Sequence, residues 1–401
     1  MPQIRIERSP IKNYGLGLFG ADHLLLTYVA DPSGSDAQQE SWFVIEGLKG
    51  SGGNSGGHIL GVEGTDGQTT LSEANGGLTG SALVASIGTP GTRKSTVIDF
   101  PQGAFEAWQT MAAFGADIDG QFLPYQFYAN PAQPIPSSNS SSVIASLLHY
   151  AGVDLASVSP IPSFRYTSGA TTLLGTSGRD EMFVTSHFKN LLGGRGSDIM
   201  HGSDGTDRMN GGADADYTFW SPGFDHIHGG QYNLEYGRDG IDVVGYGGAG
   251  VVHVGYVKGW VAHKTPTYIA SYASGKDYLY SIEKLEWNDD TDEIVLGEGI
   301  QGIVDDLLFD LEGDGGGPGD KASFLDATEG LLLNASASDT MVAQALSGDT
   351  GKGWFVQSAE WIEGSPYGDH IYGNATLRVV DGGGGADFID ARLDAAFGGG
   401  S

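Results

Sequence analysis

The residues of this chain best suited to chemistry are aspartates that recur at every ninth position between residues 175 and 228. Divided into nonads from Gly175, this segment reads GTSGRDEMF, VTSHFKNLL, GGRGSDIMH, GSDGTDRMN, GGADADYTF and WSPGFDHIH. Position 6 is Asp in five of the six nonads, position 8 is apolar in five, and position 4 is Gly in four. Carboxylates are hard oxygen ligands, so this row indicates binding of a hard cation such as Ca²⁺, which accepts about six to eight oxygens.

The nine-residue grid also predicts the elements that position these aspartates. Glycines at positions 1, 2 and 4 permit sharp turns with positive φ, and the apolar position 8 marks a short strand with one face toward a core. We therefore expect two nonads per coil, with coils stacked as a parallel β-roll and residues 18 apart directly above one another. Carboxylates stacked at about 4.8 Å, the spacing of adjacent strands, repel one another unless cations lie between them.

A second, shorter set of nonads lies near the C-terminus. It reads GSPYGDHIY from Gly364, GNATLRVVD from Gly373 and GGGGADFID from Gly382, with Asp at position 6 of the outer two. The middle nonad carries Arg378 at position 6, and the second nonad of the first set carries Lys189 there. We hypothesise that a cationic side chain at this position replaces an ion.

The predicted metal ligands are the aspartates at position 6 together with turn glycines, whose carbonyl oxygens would complete the coordination. They are Asp180, Gly196, Asp198, Gly205, Asp207, Asp216, Gly223 and Asp225 in the first set, and Asp369 and Asp387 in the second. Asp180, Asp198 and Asp216 are expected to form one column, and Asp207 and Asp225 the column at the opposite edge. The pairs 180/198, 198/216, 207/225 and 369/387 predict at least four Ca²⁺ ions.

The nonads GGRGSDIMH and GSDGTDRMN resemble the repeat of the RTX, or haemolysin-type calcium-binding, family of secreted bacterial proteins. The resemblance covers roughly residues 166–390; Asp214 departs from it at position 4, where Gly is usual, and we expect a less regular coil there. It implies a roll that stays unfolded at low intracellular calcium and folds on extracellular Ca²⁺. It also implies type I export with an uncleaved C-terminal signal, in agreement with a start, MPQIRIERSP, that lacks the apolar segment of a Sec signal peptide.

A longer duplication lies between the two sets of nonads. SIEKLEWNDDTDEI, residues Ser281–Ile294, aligns without gaps to SAEWIEGSPYGDHI, residues Ser358–Ile371, at an offset of 77. Residues 240–295 and 318–372 therefore represent two copies of one β-rich unit. The predicted fold class is an α+β N-terminal module followed by a mostly β C-terminal region with parallel β-roll repeats. Its parts are an α/β module over 1–160, roll blocks over 166–239 and 363–401, and duplicated connecting units over 240–362.

The composition excludes several classes of protein. The chain has 66 Gly among 401 residues, no Cys, and a formal net charge of -30. Without Cys there is no disulfide framework, thiolate zinc site or cysteine nucleophile. Nucleic acid is not expected as a partner because its phosphates repel this charge, and no apolar run of 18 residues indicates a transmembrane segment. A cell-surface or matrix partner of unknown identity is left open.

Residues 1–160 indicate a mixed α/β module with two helices, Phe105–Phe114 and Val143–Tyr150. The polar run before the second helix has two interpretations. In the first, Asn139–Ser142 cap the helix by satisfying its free N–H groups. This interpretation is favoured, so enzymatic activity is left open but not expected.

In the second interpretation Ser140, His23 and Glu46 are weak catalytic candidates. Their order loosely resembles circularly permuted papain-like hydrolases, in which a strand His precedes a cysteine at a helix N-terminus. A serine at that position gains little from the helix dipole and needs a base within hydrogen-bond reach. The sequence thus predicts a secreted calcium-binding protein with a structural or interaction role, and alternatively a secreted hydrolase whose roll serves export and stability.

Overall fold

A computed structural model divides the chain into two compact units, Met1–Gly196 and Ser197–Ser401. The structure describes residues 1–10, 22–32, 42–49, 60–74, 95–121, 123–125, 138–158, 170–230, 240–257, 268–287, 293–297, 307–311, 320–335, 340–346, 354–374 and 377–390. Within these ranges the second unit forms strands and no helix, as predicted for the mostly β C-terminal region. No helix in the same ranges is long and apolar enough to cross a membrane.

The first unit contains an antiparallel sheet of five strands with helices on it. The strands are β1 Gln3–Pro10, β2 Asp22–Val29, β3 Phe43–Lys49, β4 Leu60–Glu63 and β5 Ser95–Ile98; the helices are α1 Leu71–Ala74, α2 Ala104–Asp119 and α3 Ser140–Tyr150, followed by the 3₁₀ helix Leu155–Ser157. The order of the sheet is β4-β3-β2-β1-β5. Alternate residues such as Ile4, Ile6 and Leu26 are buried because successive side chains of a strand point to opposite faces. Tyr28 of β2 stacks on Trp108 of α2, with ring centroids 5.6 Å apart.

Both predicted helices are present and are longer than predicted. α2 extends past Phe114 to Asp119, since the apolar spacing continues to the buried Ile118. α3 begins three residues before the predicted Val143 because serines form its first turn, and the polar composition of that turn concealed it.

Three further strands of the first unit lie in the nonads or directly before them. They are β6 Thr172–Leu174, β7 Glu181–Phe183 and β8 Asn190–Arg195. β6 and β8 pair in parallel with Leu173 opposite Leu191, which are 18 residues apart as the nonad period predicts. The strand-to-strand register of the first coil is therefore set by the repeat.

Side chains from the helices hold this first coil. The phenol of Tyr150 donates to the carbonyl of Leu174 at 2.7 Å, and Ser146 Oγ accepts from the N–H of Leu174 at 2.9 Å. The buried Gln121 donates to the carbonyl of Gly175 at 3.1 Å and accepts from the N–H of Arg195 at 3.0 Å. These bonds explain why the first compact unit extends to Gly196, within the predicted block 166–239, whereas the sequence suggested a boundary near residue 160.

The second unit consists of two sheets between which the chain passes repeatedly. The first sheet contains β10 Arg208–Ala213, β12 Phe224–Gly230, β14 Val252–Tyr256, β15 Tyr268–Tyr272, β16 Gly275–Tyr280, β18 Glu293–Leu296, β20 Lys321–Ser323, β24 Trp361–Glu363 and β26 Val379–Asp381. The second contains β9 Ile199–His201, β11 Tyr217–Phe219, β13 Val243–Gly245, β17 Lys284–Trp287, β19 Leu307–Leu311, β21 Leu331–Asn334, β22 Thr340–Ala345, β23 Trp354–Gln357, β25 His370–Tyr372 and β27 Phe388–Asp390. Within the unit the orders are β10-β12-β16-β15-β14-β18-β20-β24-β26 and β9-β11-β13-β17-β19-β23-β22-β21-β25-β27.

The nonad strands of this unit pair in parallel at the predicted spacing. Met209 lies opposite Ile227, and Ile371 opposite Ile389, each pair 18 residues apart. Met209, Ile227 and Ile371 are fully buried, so position 8 faces the interior at these levels as expected, whereas Ile389 in the last nonad is 43% exposed. The register of the repeat is therefore confirmed in both sets of nonads.

The described residues of the duplicated segment form the same order of antiparallel strands in both copies. The first copy contains the antiparallel run β14-β15-β16 and the second the antiparallel run β21-β22-β23, each in a different sheet. Directly after these runs, Ser281 and Ser358 have positive φ angles of 49° and 64°, a conformation uncommon outside glycine. The offset of 77 read from the sequence thus joins structurally equivalent residues.

Candidate metal centres

Aspartates at position 6 are linked to one another through their backbones. The N–H of Asp198 donates to Oδ1 of Asp216 at 2.8 Å, and the N–H of Asp207 donates to Oδ1 of Asp225 at 2.9 Å. In the C-terminal set, the N–H of Asp369 donates to Oδ1 of Asp387 at 3.0 Å. Each donor lies 18 residues before its acceptor, so the carboxylates stack along the coils as the sequence predicted.

Glycines at position 1 leave room for these carboxylates. A Cβ atom on Gly211 would overlap Oδ2 of Asp216, and one on Gly382 would lie 2.5 Å from Oδ2 of Asp387. A side chain at either point would displace the carboxylate, so Gly211 and Gly382 are needed for the positions of Asp216 and Asp387.

Three predicted ligand glycines at position 4 have a left-handed backbone. The φ angles of Gly196, Gly205 and Gly223 are 101°, 131° and 153°. Asp214 occupies position 4 of its nonad with a φ of 78°, because Asp tolerates this region better than most residues with a Cβ. The turn at Asp214 thus has a positive φ without glycine, and the less regular coil expected there stays a prediction.

The stacked aspartates are withdrawn from water. Asp207, Asp216 and Asp225 are at most 3% exposed. Burial raises the pKa of Asp216 to about 9, and the nearby Asp242 and Asp198 carboxylates add to the shift. Burial likewise raises the pKa of Asp225 to about 7, with a further contribution from Asp207. Without a cation these carboxyls therefore tend to keep a proton at neutral pH, and a bound cation would take the place of that proton.

Some oxygens of these carboxylates are available for a ligand. Among the described residues, Oδ1 of Asp207 and Oδ2 of Asp216 are buried and have no hydrogen-bond partner. The donor set consists of carboxylate and turn carbonyl oxygens, which suits Ca²⁺. Within the described ranges no three His, Asp or Glu side chains converge on one point, so each centre would use two carboxylates and complete its coordination with backbone carbonyls and water.

Ser or Thr at position 2 holds the carboxylate in place through its N–H and its hydroxyl. In Ser203 these groups donate to Oδ2 of Asp207 at 2.7 and 3.1 Å. In the C-terminal set the N–H of Ser365 donates to Oδ2 of Asp369 at 2.7 Å, and its hydroxyl donates to Oδ1 at 2.7 Å. Asp180, in the first unit, accepts from the N–H and hydroxyl of Thr176 in the same way. Because Asp180 and Asp198 belong to different compact units, the pair 180/198 stays a prediction.

Sequence reasoning missed two aspartates that continue the columns. The N–H of Asp216 donates to Oδ1 of Asp242 at 3.0 Å, and Asp225 lies opposite Asp277 in the parallel pair β12–β16. The segments 240–244 and 275–279 each read Gly-x-Asp-x-apolar, which is positions 4 to 8 of the nonad. That five-residue signal could have identified both residues, but their spacings of 26 and 52 break the nine-residue period.

Asp277 is bonded differently from the other aspartates. Tyr272 donates its phenol hydrogen to Oδ1 at 2.7 Å, and Tyr246 donates to Oδ2 at 2.8 Å. Burial raises the pKa of Asp277 to about 7, with a further contribution from Asp225. Both oxygens of Asp277 therefore accept hydrogen bonds from phenols. The column that contains Asp207 and Asp225 thus ends at a carboxylate bonded to neutral donors.

Arg378 contacts the residue that precedes it by one coil. Its guanidinium lies 2.8 Å from Oε1 of Glu360, and its N–H donates to the Glu360 carbonyl at 2.7 Å. A cation thus stands beside a carboxylate at this level, and its replacement of an ion stays a hypothesis. At the equivalent level of the first set, Lys189 donates its N–H to the carbonyl of Thr171, an uncharged residue.

The catalytic candidates of the first unit are not brought together as a group. Ser140 begins α3, and a Cβ on Gly47 would lie 3.0 Å from the Ser140 Cα, so Gly47 faces the helix. Glu46 therefore points to the opposite face of the sheet. His23 lies on β2, but its side chain is outside the described part of the structure.

The polar run before α3 is a capping box. The side chain of Asn139 accepts hydrogen bonds from the N–H groups of Ser141 and Ser142 at 2.9 and 3.2 Å. Ser142 Oγ in turn accepts from the N–H of Asn139 at 2.7 Å. The capping interpretation is confirmed. No family model, curated protein or solved structure matches this chain, so its residues alone support a functional assignment.

Proposed function

We propose that this chain is a secreted calcium-binding repeat protein of the RTX type, with a structural or interaction role. In this proposal the stacked coils form a parallel β-roll that folds when Ca²⁺ enters the carboxylate columns. The observation that carries it is the row of buried aspartates whose backbone N–H groups bond to the next carboxylate 18 residues on. Such a stack of carboxylates in a poorly solvated interior is unfavourable unless protons or cations neutralise it.

The chain's own residues would hold the ions in pairs. Asp198 with Asp216, Asp207 with Asp225, and Asp369 with Asp387 each present carboxylates on neighbouring coils. When bound, Ca²⁺ supplies the positive charge that these pairs lack and cross-links successive turns. Because the carboxylates come together only in the folded coil, the free energy of binding becomes free energy of folding.

This coupling is consistent with export before folding. At low intracellular calcium the repulsion within the columns would destabilise the folded coils, whereas millimolar calcium outside the cell would stabilise them. A chain without cysteine depends on no disulfide for stability. Four bound Ca²⁺ ions, with two charges each, would then offset eight charges of the net -30 in the folded protein.

Circular dichroism and thermal melting of the full chain test this proposal. We expect a gain of β signal and a higher melting temperature in millimolar Ca²⁺ than in EDTA, and a much smaller response to Mg²⁺, which prefers fixed octahedral geometry and its own water ligands. Identical spectra and melting curves with EDTA and Ca²⁺ would overturn the proposal.

A further inference from the structure

The two carboxylate columns of the second unit end in different ways beyond the nonads. On one edge, Asp216 is followed by Asp242, and on the other, Asp225 is followed by Asp277. The two continuing residues stand in the same five-residue pattern, Gly-x-Asp-x-apolar. Their surroundings differ, and the difference decides whether an ion is required.

The Asp216–Asp242 level repeats the features of the nonad pairs. The N–H of Asp216 bonds to Oδ1 of Asp242 at 3.0 Å, as at the other levels. A Cβ on Gly229 would overlap Oδ2 of Asp242, just as one on Gly211 would overlap that of Asp216. The glycine that makes room for the carboxylate is thus present although the nine-residue period is interrupted.

A buried oxygen at this level lacks a partner. Asp216 is 3% exposed and Asp242 1% exposed, and Oδ2 of Asp216 has no hydrogen-bond partner among the described residues. Two buried carboxylates one coil apart require either a proton or a cation between them. The next residue of this column, Glu283, accepts the N–H of Asp242 at 2.9 Å and is only partly buried, so its charge is hydrated and the buried stack ends there.

At the Asp225–Asp277 level, by contrast, both oxygens of Asp277 accept hydrogen bonds. Tyr272 and Tyr246 donate their phenol hydrogens to the two oxygens of Asp277. These neutral phenols stabilise the Asp277 carboxylate in the positions that an ion would otherwise occupy. The same pattern in the sequence therefore leads to opposite requirements at the two edges.

We infer that Asp216 and Asp242 form an additional Ca²⁺ site, one coil beyond the nonad repeat, and that the opposite edge carries none between Asp225 and Asp277. This inference rests on the proposed calcium-binding function. It makes the number of ions asymmetric between the edges, so that Asp216 is shared by two sites whereas Asp277 belongs to none.

The number of bound ions tests the inference. Calcium per chain is measured by elemental analysis after gel filtration in Ca²⁺, with folding of each variant checked by circular dichroism. Relative to the unaltered chain, Asp242→Asn is expected to lose one ion, Asp216→Asn two, and Asp277→Asn none. Asn retains an Oδ1 acceptor for the N–H of Asp216, so the backbone link is preserved in Asp242→Asn.

The outcomes separate the inference from the proposed function. If the unaltered chain binds no Ca²⁺, the proposed function fails. If it binds Ca²⁺ but Asp242→Asn keeps every ion and Asp216→Asn loses only one, the carboxylates share a proton instead and the additional site is overturned. Should Asp242→Asn fail to fold, the loss of one or two ions in Asp216→Asn decides alone. An ion lost from folded Asp277→Asn would contradict the inference that no ion lies between Asp225 and Asp277.

Discussion

The phenol of Tyr246 donates a 2.8 Å hydrogen bond to Oδ2 of Asp277 in the interior of the second unit. Tyr272 occupies the other oxygen of the same carboxylate. Burial raises the pKa values of both phenols above their usual range, with a further contribution from Asp277, so the tyrosines stay protonated as donors. One coil of the stack is therefore stabilised by hydrogen bonds where its neighbours present unneutralised carboxylates.

Tyr246→Phe is expected to destabilise the second unit to a similar degree with and without calcium. The change leaves a buried carboxylate oxygen unsatisfied, at a cost of about 1–3 kcal/mol. Denaturant unfolding in EDTA and in Ca²⁺ measures the two differences in free energy. A loss of unfolding free energy seen only in the presence of Ca²⁺ would show that an ion lies between Asp225 and Asp277.

Asp207→Asn is expected to change stability in opposite directions in the two conditions. In Ca²⁺ the melting temperature should fall because a ligand of the 207/225 pair is lost. In EDTA it should stay equal or rise, because one of two buried like charges is removed. Asp99→Asn, which removes an exposed carboxylate of the first unit, is the matched control and should shift neither value appreciably. Equal destabilisation by Asp207→Asn in both conditions would contradict a calcium role for this pair.

The ion-free protein is expected to lose stability as the pH rises. The folded-state pKa values of Asp216 and Asp225, about 9 and about 7, lie above the ordinary value of 3.8. The folded state therefore binds more protons than the unfolded state. The stability that these protons contribute is fully present below about pH 4 and is lost as the pH rises through 7 to 9. Melting temperatures in EDTA at pH 5 and pH 8 measure it, and a higher value at pH 8 would contradict the assignment of buried, repelling carboxylates.

In the presence of Ca²⁺ a rise in pH is expected to have the opposite effect, because it favours ion binding. The ions displace the protons from the columns, so calcium affinity should increase from pH 5 to pH 8. Titration calorimetry in buffers of different ionisation enthalpy would report the proton release. Binding that is independent of pH and releases no protons would be inconsistent with ligation by these aspartates.

Asn139→Ala is expected to destabilise the first unit by about 1 kcal/mol, because the first turn of α3 loses its side-chain cap. Ser140→Ala should have a smaller effect, since Ser140 contributes no side chain to the capping box. Hydrolysis of ester or peptide substrates should be absent from both variants and from the unaltered chain. Activity that disappears with Ser140→Ala would restore the hydrolase alternative.

The nonad period predicted more of the second unit than of the first. It gave the pairing of Met209 with Ile227 and the stacking of Asp207 on Asp225, because a repeat specifies each coil by the one before it. The offset between Ser281 and Ser358 was equally readable, since both copies need the same turn. Local periodicity therefore carries reliable information on register.

The sequence did not predict contacts that depend on distant segments. Asp242 and Asp277 join the columns only because intervening strands return the chain to the same edge. Likewise, the bond between Gln121 and Gly175 extends the first unit into the nonads, and no local pattern indicates it. Glu46 and Ser140 face opposite sides of the sheet because of strand alternation relative to α3, which the order of residues alone could not show.

A calcium-loaded crystal structure with anomalous difference maps tests the central claim most directly. Peaks of calcium strength are predicted between Asp198 and Asp216, between Asp207 and Asp225, and between Asp369 and Asp387, with turn carbonyls about 2.3–2.6 Å from each ion. No peak is predicted beside Arg378, where the guanidinium binds Glu360. Folded coils whose aspartate pairs show no peak at saturating Ca²⁺ would contradict the account.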